Sequence, residues 1–522
     1  MNDKRRVDEY LEGMTRRGVL KGAAVLGLGL GLNLSLPFAR AAEPKKGGTF
    51  RLGMIEGETT DTLDPRLTGT TYAAHVSLQL RNCLVEIGPD MTLVPELAES
   101  FEPQDKGAKW AFKLRSGVTF HNGKAMSPVD VIYSMNLHRG ETSTSGAKSL
   151  LAQVKEIASD GDTVTFTLFE PNADFPFVLA DYHLVIVPDG TTNFKDGMGT
   201  GGYVLESFQP GVLTRVRRNP DYWKPNRAHF EFVETISIPD SVGRNNALLG
   251  GAVDAIIQTD PKTANLLASR RGYQLIETKG TQHVTLAMRT DLAPFDNVDL
   301  RLALKHGIDR EQLVKTLLKG HGVVGNDHPI ASVNRYHADH LTQRSYDPDK
   351  AKFHLKRSGL SDLKLTLDAS DAILAFGVDM AAIFQQSAAK AGINFDIHRN
   401  PTDGYWDSVW LAKPWFEGFW AGRPTADWMF TQGYAADARW NEAKWKNPRF
   451  NQLLVAARGE LDEGTRAQMY GEMQALCSDD GGSIIPFFTN TLDAATDKVQ
   501  FGQLSSNLAG DGARCAERWW FA

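Results

Sequence analysis

Residues 363–397, LKLTLDASDAILAFGVDMAAIFQQSAAKAGINFDI, decide the fold class. Residues 363–367 read as a strand. Residues 374–390 read as a helix with Gly392 behind it, and residues 393–397 alternate apolar and polar as a second strand. Strand, helix, strand at this spacing is a β-α-β unit, and its crossover makes the two strands parallel. The second half of the chain therefore carries an α/β lobe.

The texture around this unit differs on its two sides. Before Pro294 the chain is strand-rich. Residues 110–115 and 163–169 alternate with period two, residues 204–208 and 213–217 flank a Gln209-Pro210-Gly211 turn, and residues 253–258 and 283–288 are apolar strands. A helix opens at Ser127-Pro128-Val129-Asp130, with serine as N-cap and proline at the first position. Residues 72–85 read as a helix as well. After Pro294 helices dominate. One opens at Asp309-Arg310-Glu311-Gln312 and is ended by Gly320; another begins at Asp347-Pro348. The apolar strand 484–488 then carries the chain back. A single core stops growing near ~250–300 residues, so a chain of 522 residues needs two or more lobes.

Composition excludes several function classes. A net charge of −6 on this length gives no basic footprint for nucleic acid or an anionic membrane. Three cysteines, Cys83, Cys477 and Cys515, form no CxxC, which argues against a thiol redox centre or structural zinc; in an oxidising compartment one disulfide, Cys477 with Cys515, is the expected pairing. The thirteen histidines are scattered, and no HExxH, GxSxG or Walker loop occurs. His121, in the turn Phe120-His121-Asn122-Gly123, is read as structural. An enzyme therefore has no positive support, and no cofactor motif is present. A secreted hydrolase of unfamiliar type is the remote alternative.

At the N-terminus Arg16-Arg17 precedes an apolar, Gly- and Ala-rich run over residues 22–36. About fifteen residues fall short of the ~20 that span a bilayer. Ala39-Arg40-Ala41 supplies a cleavage site. The expectation is a twin-arginine export signal at residues 1–41, cut after Ala41, and a soluble periplasmic protein.

Residues 405–430, YWDSVWLAKPWFEGFWAGRPTADWMF, hold Trp406, Trp410, Trp415, Trp420 and Trp428 around Glu417, Arg423 and Asp427. Apolar faces with a few charges suit a small-molecule pocket; the more usual place for such aromatics is a buried core segment.

Four motifs, in order, resemble the extracytoplasmic solute-binding proteins of family 5, which serve peptide, nickel and opine ABC importers. They are residues 112–123 (FKLRSGVTFHNG) with Asp130-Val131-Ile132-Tyr133-Ser134; Gly199-Thr200-Gly201-Gly202-Tyr203 with residues 218–223; Pro294-Phe295-Asp296 with residues 301–304 and 308–310; and Tyr346-Asp347-Pro348-Asp349-Lys350-Ala351. The resemblance spans roughly residues 46–490. It implies an α/β, two-lobed periplasmic-binding-protein-like fold (type II, large cluster with an extra subdomain) with the ligand cleft between lobes. The first lobe would comprise residues 42–289 completed by 485–522, and the second residues 290–484. It also implies a monomeric receptor without nucleic-acid partner that takes a small solute to inner-membrane permease subunits. Peptide binders of the family carry an aspartate shortly after a tryptophan of the second lobe, where this chain has Trp420-Ala421-Gly422-Arg423. Arg423 there favours a carboxylate or phosphate on the solute, such as a short peptide or opine-like conjugate, with Trp406 and Trp420 stacking on it, Asp427 nearby and Tyr72 as the facing wall. The alternatives are an Arg423 paired structurally with Asp427 or Glu417, and a nickel or haem chelate as ligand.

Overall fold

The computed structural model describes residues 44–361 and 363–522; the export signal expected at residues 1–41 lies outside them. Two mixed sheets form the framework. The first runs, edge to edge, Tyr273–Thr278, Thr491–Thr496, Ala255–Ile256, Thr49–Met54, Phe232–Ser237, Leu213–Arg218 and Tyr203–Gln209. Thr49–Met54 is parallel to both its neighbours, and the last two strands form the hairpin read around Gly211, which turns with φ +75°. The second sheet runs Gly322–Val324, Phe487–Thr489, His283–Met288, Trp415–Trp420, Leu365–Ala369 and Phe395–Arg399, with Ser483–Ile484 also on His283–Met288. The β-α-β unit is present: Leu365–Ala369 and Phe395–Arg399 are parallel, with the helix Gly377–Ala389 between them. That helix starts three residues later than the periodicity predicts, because Leu374 and Ala375 take left-handed φ of 51° and 57° in the turn ahead of it.

A four-stranded antiparallel sheet, in the order Ala98–Gln104, Lys109–Leu114, Thr163–Leu168, Val154–Asp160, stands on the first lobe around its own core of Trp110, Phe112, Phe166 and Phe175. This is the extra subdomain. The family-like motifs are mostly joints. Asp130 accepts from Ser127 N at 2.8 Å, closing the capping box of Pro128–Asn136. His121 docks on Gly201 O at 3.1 Å, and burial lowers its pKa to about 4, so it is neutral and structural. Gly201 lies against the end of the helix Thr71–Leu80, where an added Cβ would come within 2.3 Å of the Leu80 carbonyl carbon.

Two expectations need correction. The lobe limits at 289/290 and 484/485 do not follow the sheets. His283–Met288 is buried along its whole length and pairs antiparallel with Trp415–Trp420, so it belongs to the second sheet, as does Phe487–Thr489. The chain changes sheet at residues 279–282 and at Asn490. An apolar strand buried on both faces does not announce which sheet it joins. Second, Cys477 and Cys515 are free and sit in different cores, Cys477 with Phe450 and Tyr470 in the second lobe, Cys515 with Phe50 and Trp519 in the first. No disulfide links them.

Candidate functional site: a cleft between the lobes

The central strand Trp415–Trp420 runs parallel to Leu365–Ala369, and the loop 421–424 leaves its carboxyl end. Loops at that end of an α/β sheet are where ligands bind. Thr425 caps the following helix, Ala426–Gly433, by accepting from Trp428 N at 3.2 Å. Gly422 is needed for space: a Cβ there would lie 1.5 Å from Thr281 Oγ1, in the segment that joins the sheets. Asn334 Nδ2 holds Arg423 O at 3.2 Å. The loop is fixed from both sides.

Arg423 faces a hollow of about 430 Å³ whose other wall comes from the first lobe: Phe177, Asp181, Tyr182, His183 and the segment around Asn507. Its guanidinium donates from Nε to Gln432 Oε1 at 2.6 Å and from Nη1 to the Ala421 and Gly422 carbonyls at 2.7 and 3.2 Å, and lies 5.9 Å from the Trp420 ring. Among the described residues no carboxylate lies within ion-pair distance of it. The two acids offered as structural partners are engaged elsewhere. Asp427, buried, pairs with Arg458 Nε at 3.2 Å, and burial pushes its carboxyl up to about 6. Glu417, buried, accepts from Ser370 N at 3.1 Å and is pushed up to about 8. Desolvation pulls Arg423 itself down from the ordinary guanidinium value, opposed by Tyr182.

A second hollow of about 520 Å³ adjoins the first, sharing Ser149, Leu150, Trp428 and Gln432 with it; Asp174, Asp427 and Arg458 line it. Beyond it the lobes touch. Asp174 of the subdomain pairs with Arg466 of the helix Glu463–Asp479 at 2.8 Å, both buried, and Ala173 N donates to Arg458 O at 2.8 Å.

The remaining expected site residues divide. Trp406 is 39% exposed and Trp420 is buried; both line a shallow aromatic hollow next to Arg423. Tyr72 is a correction. It is fully buried in the first core, where its hydroxyl meets Thr214 Oγ1 and Thr235 O, each at 2.8 Å. The helix Thr71–Leu80 is buried almost throughout, so its one tyrosine is spent on packing. The aromatic that faces Arg423 from the first lobe is Tyr182. Its signal was the polar triplet Asp181-Tyr182-His183 directly before the apolar run 184–187.

Among the described residues one group of acids is close enough to share a cation: Glu86, Glu96 and Glu517. Lys224 and Arg514 already fill it, with Lys224 Nζ at 2.7, 2.7 and 3.0 Å from the three and Arg514 at 2.8 Å from Glu96, while Arg518 meets Glu86 at 3.2 Å. These cations hold Glu86 well below the usual carboxylate range. The cluster ties the C-terminal segment into the first lobe and leaves no donor free for a metal.

The family profile described as bacterial extracellular solute-binding proteins, family 5 Middle, matches residues 92–442. The chain is 27% identical over 460 residues to the heme-binding protein A of Haemophilus influenzae, covering 78% of this chain and 81% of that one. It is 26% identical over 509 residues to the dipeptide-binding protein of Escherichia coli, covering 84% and 93%. Among solved structures, HbpA2 from Haemophilus parasuis superposes with a TM-score of 0.82 at 21% identity over 91% of this chain and 100% of that one. The agropinic-acid complex of AgaA from A. tumefaciens R10 does so at 0.71 and 23% identity, over 91% and 99%.

Proposed function

This chain belongs to the bacterial extracellular solute-binding proteins, family 5, and from that premise we propose that it captures an anionic or zwitterionic small solute, a short peptide or opine-like amino-acid conjugate, between its lobes and hands it to ABC permease subunits. The observation that carries the reading is Arg423, held in the cleft by Gln432 and by backbone carbonyls, with no carboxylate among the described residues within ion-pair distance. A fixed guanidinium fork favours a planar anion. A solute that touches both walls binds the closed arrangement better and shifts the population toward it; moving closed from 1% to 99% takes about 5.5 kcal/mol of differential affinity. The paired arginines Arg16-Arg17 and Ala39-Arg40-Ala41 support export by the twin-arginine route and a periplasmic site of action. Trp406, Trp420 and Arg423 are the residues assigned to the solute, with Asp427 set behind them on Arg458.

Calorimetry of Arg423→Ala with the solute that copurifies tests the reading. A charge-assisted hydrogen bond is worth about 1.5–3 kcal/mol, so affinity should fall about 10- to 150-fold; an unchanged affinity removes Arg423 from the site. A nickel or haem chelate is the second reading. It is favoured by His183, whose Nδ1 meets Asp181 Oδ1 at 2.6 Å, an arrangement that orients the other ring nitrogen as a metal ligand. An absorption spectrum and native mass spectrometry of the purified protein separate the two.

A further inference from the structure

The shallow hollow beside Arg423 is an aromatic box. Trp406, Trp410, Phe419, Trp420 and Trp440 enclose about 270 Å³, and Arg423 stands at its rim. The rings are all inclined to one another. Trp406 meets Trp410 at 73° and Phe419 at 75°, and Trp440 meets Trp410 at 57° and Trp420 at 63°, with centroids 5.4 to 6.3 Å apart. Such edge-to-face sets leave indole faces open instead of stacking them away. The box is braced from behind: Glu442, buried, accepts from Trp410 Nε1 at 2.7 Å. Yet it is not filled by the protein itself, and Trp406 remains 39% exposed. Ala421, Arg423 and Trp440 line both this box and the interlobe cleft, so the two are continuous.

We propose that the box is a subsite for an aromatic ring carried by the same solute whose anionic group meets Arg423, so that the protein selects aryl-bearing acids. The proposal rests on the anion reading above and deepens it. The lining chemistry decides among occupants. A sugar needs several polar partners around its hydroxyls, and the box presents indole and phenyl faces, with the Trp410 N–H already given to Glu442. A cationic group would have the Arg423 guanidinium at the rim against it. A flat apolar ring meets neither objection, can stack on one face while touching the edges of the others, and fits the space, since cavities of about 150 Å³ already hold benzene.

The test uses a pair of acids that differ by the ring, N-benzoylglycine and N-acetylglycine, titrated into the full mature protein by calorimetry. Burial of one phenyl group should make the benzoyl compound bind about tenfold or more tighter. Trp406→Ala should bring the two acids to equal affinity; Trp406→Phe, which restores a ring, should keep most of the preference, and thermal melts of both variants confirm that they are folded. Arg423→Gln should weaken both acids alike. Equal affinity of the two acids overturns the aromatic subsite while leaving the anion reading standing. A preference that survives in Trp406→Ala, or no binding of N-benzoylglycine at millimolar concentration, overturns it as well. Affinities untouched by Arg423→Gln, with the ring preference intact, would sink the anion reading and sustain the box.

Discussion

The buried pair Asp174–Arg466 should act as a latch on closure. It joins the first lobe's subdomain to the second lobe at 2.8 Å, with the two side chains 5% and 2% exposed. Every other partner of Arg466 among the described residues lies in its own lobe: Tyr336 Oη at 2.9 Å, Ala457 O at 3.2 Å, Tyr470 Oη at 3.4 Å, and the Tyr336 and Tyr470 rings at 4.9 and 5.5 Å. Those contacts persist when the lobes part, so the bond to Asp174 is the one that depends on closure. Asp174 makes no helix-capping bond, and Asp174→Asn removes charge with little change of shape. A charge-assisted bond of about 1.5–3 kcal/mol then leaves the closed state alone, and apparent affinity should fall about 10- to 150-fold. Arg466→Met strands the Asp174 carboxylate in the closed state, a loss of about 3–5 kcal/mol. Because Asp174 also lines the larger hollow and Arg466 lines neither, a double-mutant cycle separates a latch from a lost solute contact. Calorimetry of both single variants and the double, with small-angle scattering to follow opening, should give a coupling above about 0.5 kcal/mol. Additive effects, or liganded variants as compact as the parent with unchanged affinity, would refute the latch.

Other consequences are simpler to state. Glu417, pushed up to about 8 by burial, keeps its proton in the folded state while the unfolded chain releases it near 4.5. Its contribution is therefore favourable below about pH 4.5 and is lost as pH rises toward 8, so Glu417→Gln should stabilise the protein by about 3 kcal/mol at pH 7 and by less at pH 5; melting curves whose difference does not grow with pH would count against this. Gly422→Ala forces a methyl to within 1.5 Å of Thr281 Oγ1 and should displace Arg423, weakening solute binding at least about tenfold; Thr281→Ala, which leaves its Cβ at 2.4 Å, should restore only part, and an unaffected Gly422→Ala would show that the loop has more room than the geometry allows. All three cysteines are buried with their thiols pushed upward, so a thiol reagent should find none in the native protein and three after unreduced denaturation; fewer than three would mean a covalent link.

The lobes were legible because they rest on local periodicity. The β-α-β unit at 363–397, the 204–217 hairpin and the capping box at Ser127 each follow from spacing within a few residues, and each forms. The sheet boundary was not, since His283–Met288 is buried on both faces and its partner, Trp415–Trp420, lies more than a hundred residues away. The site divides in the same way. Trp406, Trp420 and Arg423 share one segment and were readable together, whereas Tyr72 and Tyr182 carry the same side chain, and only the helix packing of one and the cleft position of the other distinguish them. The cysteine pairing failed for the same reason: spacing along the chain carries no information about which core a thiol enters.

The free charge on Arg423 is a result of how its neighbours are used. Residues 405–430 contain acids four residues after Arg423 and six before it, close enough in sequence to neutralise it. The strand Trp415–Trp420 points Glu417 away from the cleft into the core beside Ser370, where losing water keeps it protonated and so without the charge to attract a guanidinium. The helix Ala426–Gly433 turns Asp427 toward Arg458, whose own carbonyl is tied across the lobes to Ala173. With both acids withdrawn, Gln432 and two backbone carbonyls orient Arg423 but cannot cancel its charge. A cation fixed in place, partly desolvated and without a carboxylate at ion-pair distance among the described residues gains from an incoming anion what water and neutral acceptors do not supply. That is why loss of Arg423 should be felt in affinity for the solute and not in the stability of the fold.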